Sequence, residues 1–330
     1  MLEEILTTAR ANPHVDPGLS LWGWEIAVYL FLGGMTAGIM FFAALMLLRN
    51  RPEQTPFAAA KLALWAPVVL SLGMGTLFLD LEHKLYVFRF YTAFEPTSPM
   101  SWGSWILILV YPASILLILA TLREGYPRLA TLFEQLPRGR WVLDLCARYR
   151  RPIAISNLPI GIALGTYTGI LLSAFGARPF WNSGLLGPLF LISGFSSAAA
   201  VVILASRQPT ERHLFARIDA GLLALELGVV VLLVINLATS HDVQLEAAAS
   251  ILGGAFTAPF WVYFFAVGVA LPLLLETWEL VGRPSVTVLA PALVLIGGYM
   301  LRQVMLDVGQ ASRWTHYASE FNPRLIELLQ

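Results

Sequence analysis

The sequence predicts an all-α, polytopic membrane protein with eight transmembrane helices, and three observations lead to this fold class. Of the 330 residues, 57% are hydrophobic and only 13% are charged, whereas about 25% are charged in soluble domains. The mean hydropathy is +0.70. Apolar windows of roughly 20 residues recur along the chain, and a helix of that length crosses the hydrocarbon core of a bilayer.

The apolar windows predict where the spans lie. Helix is required because lipid cannot hydrogen-bond the backbone, and the windows lack the period-two alternation of barrel strands. The whole chain, residues 1–330, is expected to form one integral membrane domain. The spans are expected at about 22–48, 58–81, 102–122, 153–175, 184–206, 214–238, 258–280 and 285–304.

The distribution of basic residues predicts the direction of the spans. Fourteen of the 21 Lys and Arg residues lie in the first, third, fifth and seventh connections, and seven lie elsewhere. Because basic loops stay on the cytoplasmic side, both termini are expected outside. In this arrangement residues 123–151 form a cytoplasmic connector, with a helix at the headgroups, and the tail 305–330 lies along the outer face.

Several absences limit the chemistry of this protein. The lone cysteine, Cys146, is placed in a polar loop and can hold neither an iron–sulfur cluster nor an internal disulfide. The net charge is zero, so nucleic acid is not an expected partner, whereas membrane lipid is. No metal site is predicted. No haem ligation is expected either, because all five histidines fall in loops or at span edges: His14, His83, His213, His241 and His316.

One group of polar residues is expected at the outer ends of several spans. Its members are, in sequence order, Glu25, Asp80, His83, Trp102, Tyr167 and Arg302. Polar groups that converge at one membrane depth are typical of a functional pocket. Five of them also have a structural interpretation. Glu25 and Arg302 could be snorkelling rim residues, Asp80 could pair with Lys84, and the aromatic residues could belong to an interfacial belt.

A second group of ionisable residues lies deeper in the membrane. Asp219 and Glu226 are seven residues apart on the sixth span and share one helical face. Glu226 has only apolar neighbours in LLALELGVVVLL, and Glu276 lies on the seventh span. Ionisable groups at such depth commonly relay protons. The alternative for Glu226 is an interhelical hydrogen bond made by a protonated carboxyl.

Five stretches carry a resemblance to a known family. They are WGWEIAVYLFLGGMTAG, LDLEHKLYVFRFY, SPMSWGSW, GTYTGILLS and LIGGYMLRQVMLDVGQ, in this order along the sequence. Together they resemble the membrane subunits of the polysulfide reductase, or NrfD, family. The similarity covers essentially the whole sequence, and the ordered set is more specific than any one motif.

The resemblance implies a haem-free anchor of two four-helix bundles in the cytoplasmic membrane of a bacterium or archaeon. Such an anchor binds quinone, menaquinone or ubiquinone, near the outer face and exchanges electrons with an extrinsic partner. The implied partners are a four-cluster, ferredoxin-like iron–sulfur subunit and a catalytic molybdopterin subunit with Mo or W. Proton translocation is a further expectation.

The resemblance also implies roles for individual residues. Tyr167 of the YTG motif is expected to contact a quinone oxygen, and the first span to supply a second polar contact near Glu25. A carboxylate beside a quinone ring can exchange protons with it. Glu25, Asp80 and Tyr167 are the expected catalytic residues. The expected quinone-binding residues are Glu25, Tyr29, His83, Trp102, Tyr167 and Arg302, and the expected proton path consists of Asp219, Glu226 and Glu276.

A secondary transporter of a small anionic or sulfur-containing solute is the alternative function. Eight spans with carboxylates near mid-membrane are compatible with it. Transporter sites are typically built from helices broken near the midplane, and Pro272 in the seventh span is the proline that favours such a break.

Overall fold

A computed structural model describes residues 22–49, 53–92, 94–281 and 288–312. Within these ranges the protein is helical and contains no β-strand. Eight helices are long and apolar enough to cross a membrane, which confirms the predicted fold class. They are α1 Trp24–Arg49, α2 Leu62–Asp80, α3 Pro99–Gly125, α4 Arg150–Ser173, α5 Leu186–Ala205, α6 Pro209–Thr239, α7 Pro259–Leu280 and α8 Leu289–Ala311.

Helices α1 and α5 lie at the centre of the molecule. Helix α1 contacts α2, α4, α5 and α8, while α5 contacts α1, α4, α6 and α8. Glycine allows the two central helices to approach closely, since a Cβ at Gly194 would lie 2.5 Å from the carbonyl oxygen of Gly34, and one at Gly38 2.6 Å from the Cβ of Ala198. Contacts of α5 with α1 and α4 join the last four helices to the first four. The structure therefore does not separate two bundles, and that division stays a prediction.

Helix α7 runs without a break through Pro272. It is a π-helix over Pro259–Ala270 and an α-helix over Leu271–Leu280. Its backbone lies directly against α8 where Gly268 meets Gly297, and a Cβ on either glycine would overlap the other. The discontinuous helix expected of a transporter is therefore not present at Pro272.

The connector between α3 and α4 contains two short helices, Pro127–Glu134 and Gly139–Arg148. Arg123 at the end of α3 joins them, because its guanidinium donates to Glu134 at 2.8 Å and to Asp144 at 2.6 Å. Cys146 lies on the second helix and is buried. The predicted position of Cys146 in a polar loop is wrong. The helix is amphipathic, and Cys146 points away from the arginines of the same helix.

On the predicted inner side, Glu211 joins α6 to the connection that follows α1. This carboxylate is fully buried and accepts hydrogen bonds from the backbone N–H groups of Phe57 and Ala58 at 3.2 and 2.8 Å. The hydroxyl of Ser206 donates to it at 2.5 Å. Glu211 thus caps the helix Pro56–Ala60, whose first N–H groups have no helical partners.

Candidate functional site

A cavity of about 180 Å³ lies among the predicted outer ends of α1, α2, α3 and α4. The connection between α2 and α3 closes it through Val87, Phe90 and Tyr91. Its lining is mostly apolar, and its polar side chains are Tyr29, Asp80, Tyr91, Ser104 and Tyr167. Since an apolar cavity of about 150 Å³ is large enough for benzene, this volume admits a ring-shaped ligand.

Three tyrosine hydroxyls converge on this cavity. Tyr29 of α1 and Tyr167 of α4 are only 6% and 5% exposed, and Tyr91 comes from the closing connection. The hydroxyls of Tyr91 and Tyr167 are near enough to that of Tyr29 to interact electrostatically. Within the described ranges, no protein group hydrogen-bonds to these three hydroxyls. Because a buried hydroxyl normally has a partner, those of Tyr29 and Tyr167 are available to a polar ligand, and the half-buried Tyr91 lies beside them.

Gly103 of α3 makes room for the Tyr167 side chain. A Cβ at position 103 would fall on the ring and hydroxyl of Tyr167. The close approach of α3 to α4 therefore requires glycine here, and the ring is held between the two helices. The orientation of the Tyr167 hydroxyl toward the cavity depends on this contact.

Two carboxylates lie at the edge of the cavity. Asp80, at the end of α2, is half-buried and belongs to the lining. Glu25, at the start of α1, is also half-buried and lies near enough to Asp80 and Tyr299 for electrostatic interaction. It does not itself line the cavity. The structure thus brings Asp80, Tyr29 and Tyr167 together, with Glu25 beside them.

His83 and Trp102 lie outside the cavity. His83 is exposed, and its ring meets the edge of the Tyr86 ring at a centroid distance of 6.3 Å. The Trp102 indole is 43% exposed and donates to the carbonyl of Pro96 at 2.7 Å. Trp102 lines a separate apolar cleft between α3 and α4, which Tyr167 also borders. Neither residue is placed to contact a ligand in the cavity.

Arg302 lies in the interior between α8 and α5 and does not line the cavity. It is 0% exposed, so the snorkelling interpretation is wrong for this residue. Its guanidinium donates to the Ser193 hydroxyl at 2.6 Å and to the carbonyls of Gly298 and Phe190 at 2.8 and 2.9 Å. It also lies 5.1 Å from the centroid of the Phe190 ring. Arg302 also lies within electrostatic reach of Glu226, which places it with the second group of ionisable residues.

The second group consists of Asp219 and Glu226 on α6, Glu276 on α7 and Arg302 on α8. The three carboxylates are at most 2% exposed. Glu226 lies within electrostatic reach of Arg302, and Asp219 within reach of both Glu226 and Glu276.

Several polar atoms of this group lack an ordinary hydrogen-bond partner. The hydroxyl of Ser196 donates to Oδ1 of Asp219 at 2.5 Å. Across the described part of the protein, Oδ2 of Asp219 and both carboxylate oxygens of Glu276 accept no hydrogen bond from another donor, and Nε of Arg302 has no acceptor. The carboxyl groups of Asp219 and Glu276 lie close enough to share a proton. Buried polar atoms without partners are rare in proteins and call for an explanation, such as an ordered water. The group is thus a buried, ionisable and incompletely paired cluster that crosses three helices.

Sequence reasoning did not single out Trp22, Tyr91 or Ser104 as residues of the cavity. All lie within stretches that carry the family resemblance, and this was the only signal that could have identified them. No set of three or more His, Cys, Asp or Glu residues that could hold a metal ion occurs in the described ranges.

Comparison with known proteins gives consistent similarity along the sequence. The sequence model of the family described as "Polysulphide reductase, NrfD" matches residues 13–312. Protein NrfD of Escherichia coli is 33% identical over 307 residues, covering 88% of this protein and 95% of the relative. One component of the polysulfide reductase of Wolinella succinogenes is 27% identical over 88% of this protein and 94% of the relative.

A more distant relative is a component of the selenate reductase of Mesobacillus selenatarsenatis. It is 24% identical over 352 residues, which cover 93% of this protein and 80% of the relative. Because the family match extends over the eight helices and the cavity residues, this is a multi-pass membrane protein that belongs to the NrfD, or polysulphide reductase, family.

Proposed function

We propose that this protein is the haem-free membrane anchor of a respiratory oxidoreductase and that it binds quinone in the cavity among α1 to α4. The observation that carries the proposal is the set of three tyrosine hydroxyls without protein partners in an apolar cavity. The names of the relatives support the class of complex, since they are subunits of polysulfide and selenate reductases. The quinone is menaquinone or ubiquinone.

The residues of the cavity fit the chemistry of a quinone. The apolar lining suits the ring, and the hydroxyls of Tyr167 and Tyr29, which belong to the lining, would donate hydrogen bonds to the quinone oxygens. Quinone becomes quinol by accepting two electrons and two protons, and the reverse reaction releases them. Asp80 in the lining and Glu25 next to it are half-buried, so each can pass protons between the cavity and the outer water.

The electrons come from, or go to, other subunits of the complex. We assign them to a four-cluster, ferredoxin-like iron–sulfur subunit on the outer face and to a catalytic molybdopterin subunit with Mo or W. We assign the complex to the cytoplasmic membrane of a bacterium or archaeon, and the distribution of basic residues supports a position of both termini outside. The single cysteine supports the assignment, because one thiolate cannot hold a four-iron cluster.

The buried cluster of Asp219, Glu226, Glu276 and Arg302 supports a second part of the proposal, a proton path across the membrane. Ionisable side chains within a membrane are costly and usually functional, and these lie within electrostatic reach of one another across α6, α7 and α8. Glu226→Gln should lower the number of protons moved per electron in proteoliposomes. An unchanged stoichiometry would remove Glu226 from the path.

The test of the proposed function starts with the tagged protein purified in mild detergent from its own host. Co-purifying proteins are identified by mass spectrometry, and iron, molybdenum, tungsten and haem are assayed. The proposal expects an iron–sulfur subunit, a metallopterin subunit, no haem and quinol-dependent turnover. A protein that purifies alone and without iron from membranes that express it normally would contradict it.

Glu25→Gln then tests the proton-exchanging carboxylate within the purified complex. Quinol turnover should slow while the set of subunits stays that of the wild type, because the amide keeps the shape and loses the exchangeable proton. Wild-type turnover in this variant would exclude Glu25 from the mechanism.

A further inference from the structure

We infer that Gln310, on the last turn of α8, is a positioning residue for the quinone cavity, because it fixes the cavity wall at Trp22. The inference rests on the proposed function of the cavity. Within the described ranges, the residues that line the cavity all lie between Trp22 and Leu172 in the sequence. Gln310 lies outside that lining, 288 residues from Trp22, and acts through it.

The backbone of Trp22 is held at both of its polar groups by one side chain. The Trp22 N–H donates to Oε1 of Gln310 at 2.9 Å, and Nε2 of Gln310 donates to the Trp22 carbonyl at 2.9 Å. This pairing needs one acceptor and one donor on the same planar group, which a carboxamide offers and an ionised carboxylate does not. Trp22 precedes α1, so the helix does not fix its position.

The indole of Trp22 is held by the same end of α8 through a second route. It stacks on Trp181 at a centroid distance of 5.5 Å and an interplanar angle of 24°, and meets the edge of Phe175 at 5.5 Å. Nε1 of Trp181 donates to the carbonyl of Met305 at 2.7 Å. A Cβ at Gly309 would fall on the Trp181 indole.

Three groups on the last two turns of α8 therefore determine where Trp22 lies, namely the side-chain amide of Gln310, the carbonyl of Met305 and the backbone at Gly309. Gln310 fixes the Trp22 backbone, while Met305 and Gly309 seat the Trp181 ring on which the Trp22 indole stacks. A wall held in this way presents a preformed surface to a ligand, and loosening it costs affinity because the wall must be ordered on binding.

The experiment measures the kinetics of quinol turnover in the purified complex for Gln310→Leu, Gln310→Glu and Gly309→Ala. Each should raise the KM for quinol by about tenfold with kcat within about twofold of the wild type, since the variants weaken binding and leave the tyrosines and carboxylates in place. Gln303→Leu is the matched control. Gln303 is an amide on the same helix that bonds Tyr299 and Asp307 and lies outside the cavity lining.

A dependence on pH distinguishes positioning from a general loss of structure. The carboxyl of Gln310→Glu can donate to the Trp22 carbonyl only when it is protonated. The guanidinium of Arg178 donates to the backbone carbonyl of residue 310 at 3.1 Å, so it favours the ionised form of the introduced carboxyl. The ratio of the KM of Gln310→Glu to that of the wild type should therefore approach one at acidic pH, while the ratio for Gln310→Leu stays raised. If Gln310→Leu does not assemble, Gly309→Ala and Gln310→Glu decide the question.

Three results would overturn the inference. They are an unchanged KM in Gly309→Ala and Gln310→Glu, an equal rise of KM in the Gln303→Leu control, or a defect of Gln310→Glu that does not depend on pH. The absence of quinol-dependent turnover in the wild-type complex is a different outcome, because it overturns the proposed function itself.

Discussion

Gly103→Ala is a substitution outside the cavity lining that should displace a residue within it. The added methyl group would overlap the ring and hydroxyl of Tyr167, which lies between α3 and α4. Alanine is favoured over glycine in a helix by about 1 kcal/mol, so the substitution does not weaken α3 itself. The expected response is a displacement of the Tyr167 ring away from α3, which moves its hydroxyl within the cavity.

The size of the effect follows from the overlap. Adding a methyl group to a well-packed interior costs about 1–3 kcal/mol, and here the overlapped atoms belong to a ring that has little room to turn. If the overlap destabilises the transition state for quinol turnover by about 2 kcal/mol relative to the free protein and quinol, kcat/KM for quinol decreases about 30-fold. Tyr167→Phe, which removes the hydroxyl, should cause a loss of similar size.

The assay is quinol turnover by the purified complex, with Gly75→Ala as the matched control. Gly75 lies on α2, and a Cβ at this position would have no atom within 4 Å. The control should keep the wild-type kcat/KM. The reasoning is refuted if Gly103→Ala also keeps the wild-type kcat/KM, or if the control loses as much. The double variant with Tyr167→Phe should lose less than the sum of the two single losses, because both substitutions act on one hydroxyl.

Three further predictions concern stability and reactivity. Arg302→Leu should lower the free energy of unfolding by about 3–5 kcal/mol because it removes the charge that faces buried Glu226. Adding Glu226→Leu should restore part of the loss. An unchanged melting temperature in the single variant would contradict this. Glu211→Ala leaves the N–H groups of Phe57 and Ala58 without their acceptor, at a cost of about 3 kcal/mol. The unfolding temperature in detergent should therefore be lower than that of the wild type, and an equal temperature would contradict this. Burial raises the pKa of the Cys146 thiol, which lowers the reactive thiolate fraction at neutral pH. Maleimide labelling of the native protein should therefore be slow and should accelerate as the pH rises; a native rate equal to the rate in denaturant would refute this.

The sequence was sufficient for features that depend on composition and on position along a helix. The eight spans follow from apolar windows, since lipid leaves the backbone no other solution. Asp80 and Tyr167 were expected at one depth, and both line the cavity. Asp219 and Glu226 were expected on one face, and both are buried toward the neighbouring helices of α6.

Arg302 shows where hydropathy misleads. The polar residues of LRQVMLDVGQ lower the hydropathy of the eighth window, so the span was expected to end at about residue 304. Helix α8 continues to Ala311 because its polar side chains find partners within the protein, among them Gln303 with Asp307. Arg302 therefore lies within the helix and inside the protein, although the sequence placed it at the rim.

Other features depend on tertiary contacts that no local pattern encodes. Trp22 belongs to the cavity because Gln310 holds it from the far end of the protein. Tyr91 belongs to it because the connection between α2 and α3 folds back over the cavity. The role of Gly103 depends on a ring from another helix, so its sequence neighbours do not reveal it.

The binding of quinone in the cavity among α1 to α4 is tested most directly by photoaffinity labelling of the purified complex with an azido-quinone. Peptides that carry adducts are identified by mass spectrometry, with and without an excess of unmodified quinone. Adducts suppressed by the excess should fall in the segments that contain Tyr29, Tyr91 and Tyr167. Suppressible adducts confined to α5–α8, or none in this protein, would contradict the proposed site.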